Sequence, residues 1–343
     1  NNPKTFYNAA LALRRSGQYE EAIEAYETAI KLKPNYKDAY FGLGQTYLIL
    51  GDFERGLPIF EKGRISDRQK SKSFLTDASQ IPGSIVLIRP DWGLGDMIQF
   101  IRYAKLIKEH GGTVWLLPHK PLDTILRSCP YIDNIVDRES ARGFNKQVSP
   151  MSLPYIFKTT IDTIPSFGPY LFANEDLIDY WKEKFQQNNF NIGICWEGST
   201  TALYPRKDVP LEQFKEIANI PGVSLYSLQK INGTQQLEDL PFIVHQFGPD
   251  FDQSHGRFMD TAAVMKNLDL VLTVDTSVAH LAGALGVPAW VFLPYAPDWR
   301  WLTKRDDTPW YPTMKLFRQE ALDDWTEALE KVKKELQKMV SKS

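Results

Sequence analysis

Residues 271–294, VLTVDTSVAHLAGALGVPAWVFLP, read as strand, sharp turn, helix, short loop and strand. Val271-Leu272-Thr273-Val274 is a β-branched apolar run of the kind buried in a parallel sheet. Asp275-Thr276-Ser277 follows at once and offers N-cap side chains where a helix would begin. Val278, Leu281, Ala282 and Leu285 recur at helical spacing, Gly286 is a natural stop, and Pro288 opens the next apolar run. Such a unit puts the Asp275 turn at the carboxyl edge of a sheet. Open α/β sheets bind ligands there, and a helix N-terminus at that edge attracts phosphate. The same three residues would also serve as an ordinary cap.

Working outward, two earlier strands also end in polar groups. Asn191 to Trp196 leads into Glu197-Gly198-Ser199-Thr200-Thr201, with Arg206-Lys207-Asp208 close behind and a helix from Leu211 to Ala218. Val223 to Leu228 ends in Gln229-Lys230, and Ile243 to Phe247 reads as a further strand. If these strands are parallel neighbours, Lys207, Lys230 and the Asp275–Ser277 turn emerge on one edge, with His280 one turn into its helix. Two lysines, several hydroxyls and a helix N-terminus suit a diphosphate, and Glu197 or Gln229 could meet a ribose or base.

Upstream, Ser84 to Ile88 reads as a buried strand running into Arg89-Pro-Asp-Trp-Gly-Leu-Gly-Asp96. A helix comes next, with Met97, Ile101, Ala104 and Ile107 on one face. Strands are also expected over 113–117 and 134–137, with a helix from His119 to Ser128 between them. Gly93 and Gly95 allow close backbone approach, but the third glycine of a dinucleotide fingerprint is replaced by Ile98, which rejects that reading. Asp96 is then either a helix cap or a general base facing a cleft. Residues 138–172 are proline-rich and read as loops with short helices. The tryptophans of Ala296-Pro-Asp-Trp-Arg-Trp301 and Trp310-Tyr311 could stack on sugars or bases, but read first as packing between domains. A last helix, 324–340, carries Trp325, Leu329, Val332, Leu336 and Met339 as a stripe suited to packing across two halves.

The first seventy residues repeat themselves. Phe6 matches Tyr40, Ala10 matches Gly44, Gly17 matches Gly51, Tyr26 matches Phe60 and Ala29 matches Gly63, each 34 residues on. The period and its small and aromatic positions resemble the tetratricopeptide repeat, in copies 3–36 and 37–70. Two copies either offer a groove to a partner or pack as an adaptor on the neighbouring domain. A polar, aperiodic stretch over 66–82 places a linker at 71–82.

The bulk properties exclude little and bias little. The chain has 343 residues, 43% hydrophobic and 24% charged, with a net charge of −2, so no electrostatic case exists for nucleic acid or an anionic membrane. No apolar run is long enough to span a membrane, and cytoplasm is the expected compartment. Cys129 and Cys195 have no metal or redox spacing.

The residues together resemble a known class. Two α/β halves with a terminal helix are similar to the GT-B glycosyltransferase fold. The Gly95-Asp96 turn and Asp275-Thr-Ser-Val-Ala-His280-Leu-Ala-Gly-Ala-Leu-Gly-Val-Pro288 resemble lipopolysaccharide heptosyltransferases. Lys207-Asp-Val-Pro210 resembles the Lys-x-x-Pro of heptosyltransferases and O-GlcNAc transferases, and the whole resembles bacterial tetratricopeptide-repeat proteins with a glycosyltransferase domain. In related repeat proteins Arg-Ser stands where this chain has Lys207-Asp208. The resemblance implies an N-terminal Rossmann-like acceptor domain over 83–172, a C-terminal Rossmann-like nucleotide-sugar domain over 173–318 and the crossing helix over 319–343. It implies a glycosyltransferase that moves a sugar from a nucleotide-sugar to a protein or glycan hydroxyl, inverting, without metal or cofactor. Asp96 would be the base, Lys207 would neutralise the leaving diphosphate, and Asp275, Thr276 and Ser277 would hold phosphate or donor sugar. Closure of the cleft would exclude water. The alternatives are a non-catalytic repeat scaffold with a degenerate GT-B body, or a nucleotide-sugar epimerase on the same fold.

Overall fold

The computed structural model describes residues 2–64, 72–199 and 207–341. Thr200, Thr201, Arg206 and the start of the expected linker lie outside the described residues. Four helices come first, Pro3–Arg15, Tyr19–Leu32, Lys37–Ile49 and Phe53–Arg64, which are the two antiparallel pairs that the 34-residue period predicts. Gly17 and Gly51 take φ of +75° and +87° between the helices of each pair, a conformation that glycine adopts without strain. The glycines at alanine positions in the second copy are sites of contact. A Cβ on Gly44 would fall 2.4 Å from the Phe60 backbone nitrogen, and one on Gly63 2.3 Å from that of Phe41.

Two parallel sheets come after the repeats. In the first, β1 (Ile85–Ile88), β2 (Thr113–Leu116), β3 (Asn134–Ile135) and β4 (Lys146–Val148) lie in the order β3-β2-β1-β4. In the second, β5 (Phe190–Cys195), β6 (Val223–Ser227), β7 (Leu270–Val274), β8 (Ala289–Leu293) and β9 (Met314–Arg318) lie in the order β6-β5-β7-β8-β9. Every residue of β7 and β8 is buried, as continuous apolar runs in a covered parallel sheet must be. This is the expected architecture, an all-α repeat segment ahead of two α/β halves.

Four readings are corrected. Residues 138–172 hold a strand, β4, flanked by Phe74, whose neighbour Leu75 donates its N–H to the Gln147 carbonyl. Ile243–Phe247 is no strand: His245 makes one isolated bridge to Tyr226 and Ile243 is 74% exposed. The helix after Gly93 runs only over Leu94–Phe100, then tightens into a 3₁₀ turn at Ile101–Tyr103 and resumes over Ala104–Glu109. The last helix, Thr326–Val340, does not lie across the halves. Its buried Ala328, Val332 and Leu336 join the core formed by Ile194, Trp196, Phe214 and Phe292, so it covers the second sheet.

Other groups join the halves. The helices Leu94–Phe100 and Ser277–Leu285 pack on each other, and the Tyr170 N–H donates to the Ala284 carbonyl at 3.0 Å. Arg102, 1% exposed, donates to the carbonyls of Gln99 and Trp310 and to the Tyr170 hydroxyl, with its guanidinium 4.4 Å from the Tyr311 ring centroid. The repeats are joined just as firmly. Phe53 and Phe60 pack on Trp299, and Leu48, Ile49 and Leu57 share one core with Trp299, Trp301 and Trp310.

Candidate functional site

β5, β6 and β7 are parallel neighbours, so Glu197, Gln229-Lys230 and Asp275-Thr276-Ser277 leave the sheet side by side. The Gly93–Asp96 turn at the end of β1 faces them. Between the two lies a cleft of about 490 Å³. Gly93, Gly95, Asp96, Glu197, Lys207, Gln229, Lys230, Asp275, Thr276, Ser277 and His280 all line it.

The Asp275 turn is a cap and a charge site in one. The Thr276 hydroxyl accepts the Val278 N–H at 3.2 Å, which fixes the start of the Ser277–Leu285 helix, and Gly286 ends that helix at φ +70°. The Lys207 ammonium donates to Asp275 Oδ2 at 2.6 Å and to the Asp275 carbonyl at 3.4 Å. Burial disfavours both charges, yet each stabilises the other. Asp275 is held down to about 2 by the Lys207 ammonium and the Arg300 guanidinium, and Lys207 is raised by Asp275. His280 is buried, hydrogen-bonded through Nδ1 to the Tyr311 hydroxyl at 3.0 Å and stacked on Trp301 at 5.5 Å. Burial first, then the Arg300 charge, lowers it to about 3, so its ring is neutral at pH 7.

Across the cleft, Asp96 caps its helix and lines the cleft as well. Oδ2 accepts the Gly93 N–H at 2.9 Å and closes the first turn of Leu94–Phe100. Oδ1 accepts from Arg300 Nη2 at 2.6 Å, and Arg300 Nη1 lies 3.1 Å from Asp298 Oδ1. Gly95 explains why this turn needs glycine: a Cβ there would sit 2.7 Å from His280 Cδ2. The start of the Leu94–Phe100 helix therefore lies directly against the start of the Ser277–Leu285 helix.

Sequence reasoning misses Arg300 and Asp298. They belong to the Ala296–Trp301 segment, whose aromatics dominate its reading. Trp299 and Trp301 do pack as expected, at 2% and 0% exposure, and their burial holds the intervening arginine in the cleft. The remaining candidates differ in how they are engaged. Gln229 commits its amide to the backbone, accepting from the N–H groups of Trp196 and Glu197 and donating to the Glu197 carbonyl at 2.8 Å. Glu197 accepts from the Gln236 amide at 3.0 Å. Lys230 donates to the Phe251 carbonyl and lies over the Phe251 ring. Asp208 accepts the Gly198 N–H at 3.1 Å, which braces the strand end beside Lys207. Among the described residues, no three His, Cys, Asp or Glu side chains gather as a metal site would require. Among the described residues, no helix is long and apolar enough to cross a membrane.

Comparison with known proteins agrees with this architecture. The TPR repeat family model matches residues 10–51. Protein FlbA of Caulobacter vibrioides is 23% identical across 96% of this chain, and the chain spans about 60% of that relative's length. A glycosyl transferase family 9 structure from Veillonella parvula superposes with a TM-score of 0.57 at 12% identity, covering 77% of this chain and 99% of that one. The ADP-heptose lipopolysaccharide heptosyltransferase II of E. coli superposes with a TM-score of 0.52 at 12% identity, covering 75% of this chain and 99% of that one. At such identities the likeness is one of fold. The chain carries tetratricopeptide repeats at residues 10–51, and its two α/β halves have the GT-B fold of those glycosyltransferase structures.

Proposed function

We propose that this protein is a glycosyltransferase that moves a sugar from a nucleotide-sugar to an acceptor hydroxyl, with inversion and without a metal. The reading rests on one observation: Lys207, Arg300 and the N-terminus of the Ser277–Leu285 helix converge in a single cleft opposite a carboxylate, Asp96. In this reading Asp96 takes the acceptor's hydroxyl proton. Each of its oxygens keeps a lone pair beyond the bonds to Gly93 and Arg300. The acceptor oxygen bonds to the anomeric carbon while the bond from that carbon to the phosphate oxygen breaks, and its electron pair leaves with the nucleoside diphosphate. Lys207, Arg300 and the helix N-terminus stabilise that charge. Glu197 meets the ribose or base, Gln229 holds Glu197 in place, and Lys230 extends the basic side of the cleft. Neutral His280 supports the turn from beneath.

A second reading, a binding scaffold without turnover, is favoured by the pairing of both cations: Lys207 with Asp275, and Arg300 with Asp96 and Asp298. A diphosphate has to compete with those carboxylates. Calorimetry with ADP, UDP and GDP, followed by mass spectrometry of acceptor mixtures incubated with the matching nucleotide-sugars, separates the two. Nucleotide binding with a mass gain of one sugar is expected. Binding to none of the nucleotides would leave the scaffold.

A further inference from the structure

The acceptor side of the cleft contains an aromatic platform built by the repeats. One face of the Trp92 indole is stacked on Phe41, with centroids 5.2 Å apart and planes at 29°, and Phe41 lies in turn on Phe60 at 5.0 Å. Phe41 and Phe60 belong to the second repeat. The neighbouring Asp91 is fixed from both sides, since the buried Arg64 of the repeats donates to its carboxylate and the Ser149 hydroxyl beyond β4 donates to it at 2.6 Å. Despite this support, Trp92 is 38% exposed and lines the cleft four residues before Asp96. Gln45, from the Lys37–Ile49 helix, also lines the cleft, its carbonyl oxygen held by Arg14 at 3.0 Å.

A flat apolar surface backed by a rigid column, with a carboxylate and an amide in the same cleft, suits a pyranose ring. Its axial C–H groups can rest on the indole while equatorial hydroxyls meet the planar polar groups. An extended peptide would draw on other features, such as an open strand edge or a free inner face of the repeats. In the second repeat that inner face is taken: Gly42 to Ile49 are buried, and the Trp299–Trp301 turn packs on their helix.

Building on the glycosyltransferase reading, we infer that the acceptor is a glycan whose terminal sugar ring stacks on Trp92, and that the repeats form the wall of this acceptor site. Saturation-transfer NMR on the full chain tests it, using methyl hexopyranosides and methyl N-acetylhexosaminides in one arm and short Ser- and Thr-containing peptides in the other. A sugar signal is expected that falls at least fivefold in Trp92→Ala and stays within twofold in Trp92→Phe. Calorimetric affinity for ADP, UDP or GDP should be the same in all three proteins, which also reports that the variants fold. Sugar signals unchanged in Trp92→Ala, or signals from the peptides alone, would overturn the inference while leaving the transferase reading standing. Loss of nucleotide binding from the wild type would instead remove that reading.

Discussion

Asp96 is tied to Gly93 on one side and Arg300 on the other, so its carboxylate has one orientation before any acceptor arrives. Replacing it tests base and cap separately. Asp96→Ala is expected to lower transfer by about 10²-fold or more, with nucleotide affinity changed less than about threefold. The lost cap should cost about 1 kcal/mol in urea denaturation. Turnover at the wild-type rate would exclude Asp96 as the base. His280 makes a prediction about pH. Its folded value, about 3, lies below the ordinary value of 6.5, so as pH falls through 6.5 the unfolded chain takes up a proton that the folded protein refuses. Stability present above pH 6.5 is therefore lost as pH falls toward 3. The Asp275 contribution, whose folded value is about 2, begins to fade only below about pH 4. Between about pH 7 and 5 the wild-type urea midpoint should fall, and His280→Gln should flatten that slope. Equal slopes in the two proteins would remove His280 as the cause.

At the scale of elements, the site is a meeting of two helix starts. Gly95→Ala forces a methyl group to within 2.7 Å of a His280 ring that cannot yield, because Trp301 stacks on it. The helices must then separate, at a cost of about 1–3 kcal/mol. Transfer should fall along with the urea midpoint, and a variant with wild-type values for both would show that the contact is slack. The elements also show what a sequence can reveal. β7, β8 and the helix between them were legible because a buried parallel strand is a continuous apolar run and its helix carries both cap and stop. β4 and β9 were not legible, since Lys146-Gln-Val is only three residues long and Met314-Lys-Leu-Phe-Arg interrupts its apolar run with two charges. Ile243–Phe247 misled for another reason: Phe247 joins an aromatic cluster with Trp181 and Tyr226, while Ile243 is exposed, so its apolar residues do not mark a ladder. The strand ends placed the candidate residues correctly in one cleft. Arg300 escaped because a charge in a tryptophan-rich loop has no periodicity to mark it.

Over the whole molecule, the repeats and the α/β body share one core, with Phe53 and Phe60 on Trp299 and Trp310 close by. Unfolding is accordingly expected as a single transition, with far- and near-ultraviolet circular dichroism melting together. A chain beginning at residue 72 should be recovered insoluble or molten because it exposes those indoles. Two separated transitions, or a well-folded truncated body, would show that the repeats are an appendage.

Arg102 sets a limit on motion. Opening the cleft widely would pull its guanidinium off the Trp310 carbonyl and leave a buried positive charge short of a partner among the aromatic rings of Tyr170 and Tyr311. The two halves therefore act less as a hinged jaw than as the cheeks of a fixed vice. Substrates and products should pass along the open side of the slot, and the rate of product escape should depend on side chains at its mouth rather than on the swing of a domain.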